Sequence, residues 1–215
     1  MKRTVWRVFR GLAVRIISYA IFLVAVSVMM LQGAHWSYGL SFYGENGLIE
    51  WTQIFFLVIS IFSLWRAGAL DKNRRTVMTV LVLLLAMVVV RENDKNFDIY
   101  LGRHTWKWFA WALTAAAAWV AYHNRNKFYI SALHLTRQPS FGIMLTGALV
   151  VLIFSRLFGY GAFWRELLDD RRIAGEVKRI VEECTELSGY FFIMIGTFEL
   201  LHETHIRKRC RSQNR

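Results

Sequence analysis

Glu182-Glu183-x-x-Glu186 crowds three carboxylates into a short run, and Glu183, Glu186 and Tyr190 fall at i, i+3, i+7, one face of a helix. Asp94-x-x-x-Asp98 adds two more at i, i+4, directly after Arg91 and Glu92. Asn46, Glu50 and Gln53 share a third helical face. Clustered carboxylates hold hard cations such as Mg²⁺ or Ca²⁺, or act as general acids and bases. Arginines beside them, here Arg91 and Arg156, recognise phosphate through paired N–H donors. These types point to a site for a charged headgroup. Glu50, Glu92, Asp94, Asp98, Glu182, Glu183 and Glu186 are its candidate catalytic or metal-ligating groups, and Arg91, Arg156, Gln53 and Asn46 its candidate substrate contacts.

The elements that must position them are apolar. Of 215 residues 55% are hydrophobic, with one proline, nine tryptophans and sixteen phenylalanines. The apolar residues come in blocks rather than in alternation, which marks a polytopic membrane protein. The spacing predicts an all-α, six-helix transmembrane bundle forming a single domain over 1–215. Its spans are expected near 14–31, 48–65, 76–95, 106–122, 141–158 and 183–201. A span needs about 20 apolar residues to cross a hydrocarbon core of about 30 Å. The third block, Val77–Val90, and the sixth, Leu187–Leu201, are too short. Each must take charged residues into the bilayer at its outer end: Arg91, Glu92 and Asp94 on one helix, Glu182, Glu183 and Glu186 on the other. Ionisable groups at that depth require partners or a water-filled cavity, so the three faces are expected to converge on a pocket at the extracytoplasmic surface.

Between the fifth and sixth blocks, Trp164, Leu167, Leu168, Ile173, Val177, Ile180 and Val181 recur at near-helical spacing among charges. This predicts an amphipathic helix over 163–181, lying at the interface.

The net charge of +12 is unevenly distributed. With the N-terminus in the cytoplasm and six spans, seventeen of the 27 Lys and Arg fall on the cytoplasmic side, and twelve of the 15 acidic residues fall outside. This obeys the positive-inside rule, puts both termini in the cytoplasm, and explains the basic excess by topology and anionic lipid rather than nucleic acid. A bacterial inner membrane is the expected setting, with membrane lipids and a protein as partners. The first block follows Lys2, Arg3, Arg7 and Arg10 but is too long for a signal peptide's apolar region, so it reads as a retained helix. Cys184 and Cys210 lie on opposite sides and are expected to remain unpaired.

Other patterns are weaker. Glu199-x-x-His202 with His205 falls at a helix end without a second metal motif, and no G-x-S-x-G, Walker A or G-x-G-x-x-G occurs. Gly142 with Gly147, and Gly189 with Gly196, could let helices pack closely. Three function classes follow: a lipid or lipid-linked headgroup binder or enzyme, an accessory or assembly subunit whose charges pin helices, and a small transporter.

Overall fold

With one proline and few turn residues, the chain has little to interrupt helices. Among the described residues, 2–35 and 47–213 of the computed structural model, every regular element is helical. The helices are α1 (Lys2–His35), α2 (Leu48–Leu70), α3 (Arg75–Glu92), α4 (Asp94–Leu101), α5 (Thr105–His123), α6 (Arg125–Thr136), α7 (Pro139–Leu149), α8 (Ser155–Phe158), α9 (Gly161–Leu167) and α10 (Arg171–Gln213). A 3₁₀ turn, Lys72–Arg74, leads into α3, and a π-helical turn, Val150–Phe154, joins α7 to α8. The one proline sits at the start of α7, where its missing N–H costs nothing and its fixed φ suits the first turn.

Five stretches are long and apolar enough to cross a membrane: Gly11–Met30, Leu48–Leu70, Lys72–Glu92, Pro139–Phe158 and Arg171–Cys210. Residues expected as the fourth span form helix α5, but with Lys107, His123 and several Trp and Tyr residues it is not among the five.

The chain divides into two units, Met1–Ile49 and Glu50–Arg215. In the first, α1 shows an exposed apolar surface of Val14, Ile16, Ile17, Ile21 and Val24. In the second, α3 packs along α5, and α7 along α10. The core at one end gathers Leu64, Val77, Met78, Leu135, Met144 and Leu200. The α7–α10 contact depends on glycine. A Cβ on Gly147 would lie 2.6 Å from the Gly189 carbonyl oxygen, and one on Gly196 2.8 Å from the Met144 nitrogen. Backbone therefore meets backbone, as small residues allow in membrane helix pairs. Gly142, also expected in such a contact, has nothing within 4 Å.

Two expected boundaries are corrected. Residues 163–181 do not form a separate amphipathic helix. Helix α9 ends at Leu167, Leu168 is extended, and α10 starts at Arg171 and runs unbroken to Gln213. The cause is Asp170, whose Oδ1 accepts the backbone N–H groups of Arg172 (2.7 Å) and Ile173 (3.4 Å), an N-cap that starts a new helix. The apolar stripe from Ile173 onward thus belongs to the last helix. At about 64 Å for 43 residues, α10 is twice the length a bilayer core requires. The helix expected as the third span also does not run to 95. It stops at Glu92, Asn93 breaks the helix, and Asp94 opens α4.

Candidate functional site: a glutamate–arginine cluster

Helix α10 presents Lys178, Glu182, Glu186 and Tyr190 at successive i, i+4 positions, with Glu183 beside them. Three other elements bring donors to this stripe. The last turn of α3 supplies Arg91 and Glu92. The π-helical turn ahead of α8 rotates Ser155 and Arg156 toward α10; such turns re-aim the residues that follow them. Helix α2 supplies Gln53.

Glu186 is the centre, its side chain only 6% exposed. Its Oε1 accepts from Ser155 Oγ (2.9 Å), from Arg156 Nη2 (2.5 Å) and from Arg91 Nη2 (3.5 Å). Glu92 Oε1 lies 3.1 Å from Arg91 Nη2 and accepts from the Tyr190 hydroxyl at 2.7 Å. Glu182 bridges outward, its Oε1 3.4 Å from Arg156 Nη1 and its Oε2 3.6 Å from Lys178 Nζ. Its carboxylate also lies against Gly159, where a Cβ would come within 2.6 Å of Oε1. Charge-assisted bonds of this kind are the strong class, and they tie α3, α8 and α10 together at one level.

Glu183 is different. Gln53 Nε2 donates to its Oε2 at 3.0 Å and to its backbone carbonyl at 3.3 Å, and no cation reaches it among the described residues. Gln53 itself is fully buried, and its Oε1 has no hydrogen-bond partner among the described residues. The cluster therefore sets three cations, Arg91, Arg156 and Lys178, against four carboxylates, and the unmatched one is Glu183. Glu50, Glu92 and Glu186 are all near enough for their charges to act on it.

Compared with known proteins, the chain matches no family model, no curated protein and no solved structure.

Of the residues singled out in the sequence, Gln53, Arg91, Glu92, Arg156, Glu182, Glu183 and Glu186 are thus brought together by direct bonds. Glu50 and Asp94 lie close by, the latter within electrostatic reach of Arg91. Asp98 is engaged elsewhere: its Oδ1 accepts the backbone N–H of His104 at 2.7 Å, closing the α4–α5 turn, in which Gly102 and His104 both have positive φ. Lys95, four residues after Arg91, sits beyond the break at Asn93, on another helix. Asn46 lies outside the described residues. No group of three His, Cys, Asp or Glu side chains that could hold a metal ion occurs among the described residues. The Mg²⁺ or Ca²⁺ expectation thus finds no such group there; on Glu186, Oε1 is taken by Arg156, Arg91 and Ser155. Cys184 and Cys210 are both free thiols.

Two members were missed in the sequence. Lys178 was legible, since it continues the i, i+4 stripe of Glu182 and Glu186, but the supposed separate connector hid it. Ser155 gave no signal, because its orientation depends on the π-helical turn.

Tyr190 offers a measure of one arm of the network. Tyr190→Phe removes the neutral donor to Glu92 while keeping the ring, which is 1% exposed. The expected loss is about 1.5–3 kcal/mol, as for a hydrogen bond to a charged group, read as a lower melting temperature of the detergent-purified protein.

Proposed function

We propose that this chain is an integral membrane protein that binds a lipid or lipid-linked headgroup at the extracytoplasmic end of its bundle, with Glu183 as the group that exchanges a proton with it. On this reading α5 is a sixth span, both termini are cytoplasmic, and the setting is a bacterial inner membrane. The distribution of basic residues supports that orientation.

The observation that carries the reading is the contrast between Glu183 and its neighbours. Glu92, Glu182 and Glu186 are each bonded to a cation, whereas among the described residues Glu183 is held by the Gln53 amide alone. A carboxylate in a span with no cation bonded to it is suited to gain and lose a proton, or to meet a cationic part of a ligand. Arg156, 52% exposed even while it bonds Glu182 and Glu186, retains N–H groups that can turn to a phosphate.

The test is a source strain edited to Glu183→Gln, compared by lipid mass spectrometry with the wild type and with a deletion strain. The lipid profile is expected to match the deletion strain although the protein accumulates at wild-type level. A wild-type profile at normal protein level rejects the reading.

A second reading has its own support. Glu186 Oε1 collects three donors and Glu182 collects two cations. A network satisfied in this way pins helices, as an accessory or assembly subunit would need. It predicts that the Glu183→Gln protein fails to accumulate or loses its partner, with no specific lipid change.

A further inference from the structure

The other end of the bundle carries a second feature of opposite charge. A cavity of about 610 Å³ opens between the α2–α3 turn, α6 and the last turns of α10, and its polar wall includes Lys72, Arg74, Lys127, Ser131, His134 and Arg207. That volume lies within the range of about 300–1,000 Å³ usual for small-molecule sites. Thr76, also on its wall, precedes Arg91 on α3 by roughly 23 Å, and Arg207 follows Glu183 on α10 by roughly 36 Å, at 1.5 Å per residue. The cavity is therefore remote from the glutamate cluster.

Its anionic content is small and already engaged. Asp71, the one acidic residue of the wall, caps the 3₁₀ turn by accepting the Asn73 N–H at 3.2 Å, and lies 3.5 Å from Arg74 Nε. Ser131 Oγ donates to the Asn73 carbonyl at 2.6 Å and so fixes α6 against the turn. Arg207 is only loosely held, 3.9 Å from Glu203. Lys72 and Lys127 have no carboxylate partner among the described residues. Four cations thus face one preformed space with a single carboxylate, and two of them have no ion pair to give up.

The geometry points to a binding site for a phosphate-bearing group, contacted by Lys72 and Lys127 in the field of Arg74 and Arg207. The site is at the first turn of the Lys72–Glu92 stretch, where a membrane-crossing helix would enter the headgroup layer. Ile130, largely exposed on the same wall, offers an apolar flank. A phospholipid headgroup and a soluble phosphate compound present the same chemistry to these side chains.

The experiment is native mass spectrometry of the full chain in neutral detergent, titrated with phosphatidylglycerol, with phosphatidylcholine, and with inorganic phosphate as competitor. Saturable binding of phosphatidylglycerol is expected. Lys72→Gln with Lys127→Gln should weaken it roughly tenfold or more, since each basic residue near an anionic surface contributes on the order of 1 kcal/mol. Lys72→Arg with Lys127→Arg should preserve it. Arg137→Gln with Lys208→Gln removes two charges outside the cavity wall and should leave it unchanged. Displacement by inorganic phosphate assigns the site to soluble phosphate compounds, and resistance to it assigns the site to lipid. The proposal is overturned if neither lipid nor phosphate binds saturably, or if both charge-removing pairs weaken binding equally.

Discussion

Glu186→Ala lowers the stability of the protein by about 3 kcal/mol, observed as a large fall in melting temperature and in the yield of folded protein after detergent extraction. The figure is at the low end of the range for removing one partner of a buried pair. Glu186 Oε1 is the shared acceptor of Ser155, Arg156 and Arg91, so its removal takes one acceptor from three donors at once. Arg156 is half-exposed and can find other partners, which moderates the loss. Arg91 retains Glu92 at 3.1 Å. Ser155, fully buried, has no such recourse. The origin of the loss can be separated by a double-mutant cycle. Glu186→Leu combined with Arg156→Met removes charge and counter-charge together and should be less destabilised than the sum of the two single variants. A Glu186→Ala protein that melts within 0.5 kcal/mol of wild type, the range of ordinary surface substitutions, would show that the network does not hold the bundle together.

Much of this cluster was legible from a length expectation. If the run Val77–Val90 is to cross about 30 Å, Arg91 and Glu92 must be drawn in, and the same expectation pointed to Glu182, Glu183 and Glu186, which do meet Arg91 and Arg156 or Gln53. Helical spacing placed Gln53 on the face of Glu50, and Gln53 does reach α10. What was not legible depended on local backbone choices that length and hydropathy do not register. Asn93 ends α3 and removes Asp94 and Asp98 to a separate short helix, where Asp98 serves a turn. Asp170 restarts the helix and fuses the supposed connector to the last helix. The Asp–Asp pair at 169–170 before an apolar-periodic run is an N-cap signal in the sequence, but the amphipathic pattern around it masked the break. The π-helical turn at Val150–Phe154 has no signal of that kind, and Ser155 could not be found without it.

That same turn connects the cluster to the glycine contact below it, and this leads to the other large effect. Gly147→Ala destabilises the protein by about 2 kcal/mol. The added Cβ would sit 2.6 Å from the Gly189 carbonyl oxygen and 2.8 Å from the Ile193 nitrogen, both backbone atoms of α10 that no rotamer change can move. Overpacking of this kind costs about 1–3 kcal/mol and sometimes more, and alanine's better helix propensity returns only up to about 1 kcal/mol. The helices must separate, and since α7 continues through the π-helical turn into Ser155 and Arg156, their bonds to Glu186 should lengthen as well. Glu186→Ala and Gly147→Ala should therefore combine less than additively, although the two positions lie on different helices. Gly142→Ala is the control. On the same helix, with nothing within 4 Å of its added Cβ, it relieves the entropic cost of a helical glycine and should raise stability by about 0.5–1 kcal/mol. Opposite signs for two alanines on one helix, read as opposite shifts in melting temperature, are what a close-packed α7–α10 seam requires. Equal shifts would mean that α7 does not approach α10 through Gly147.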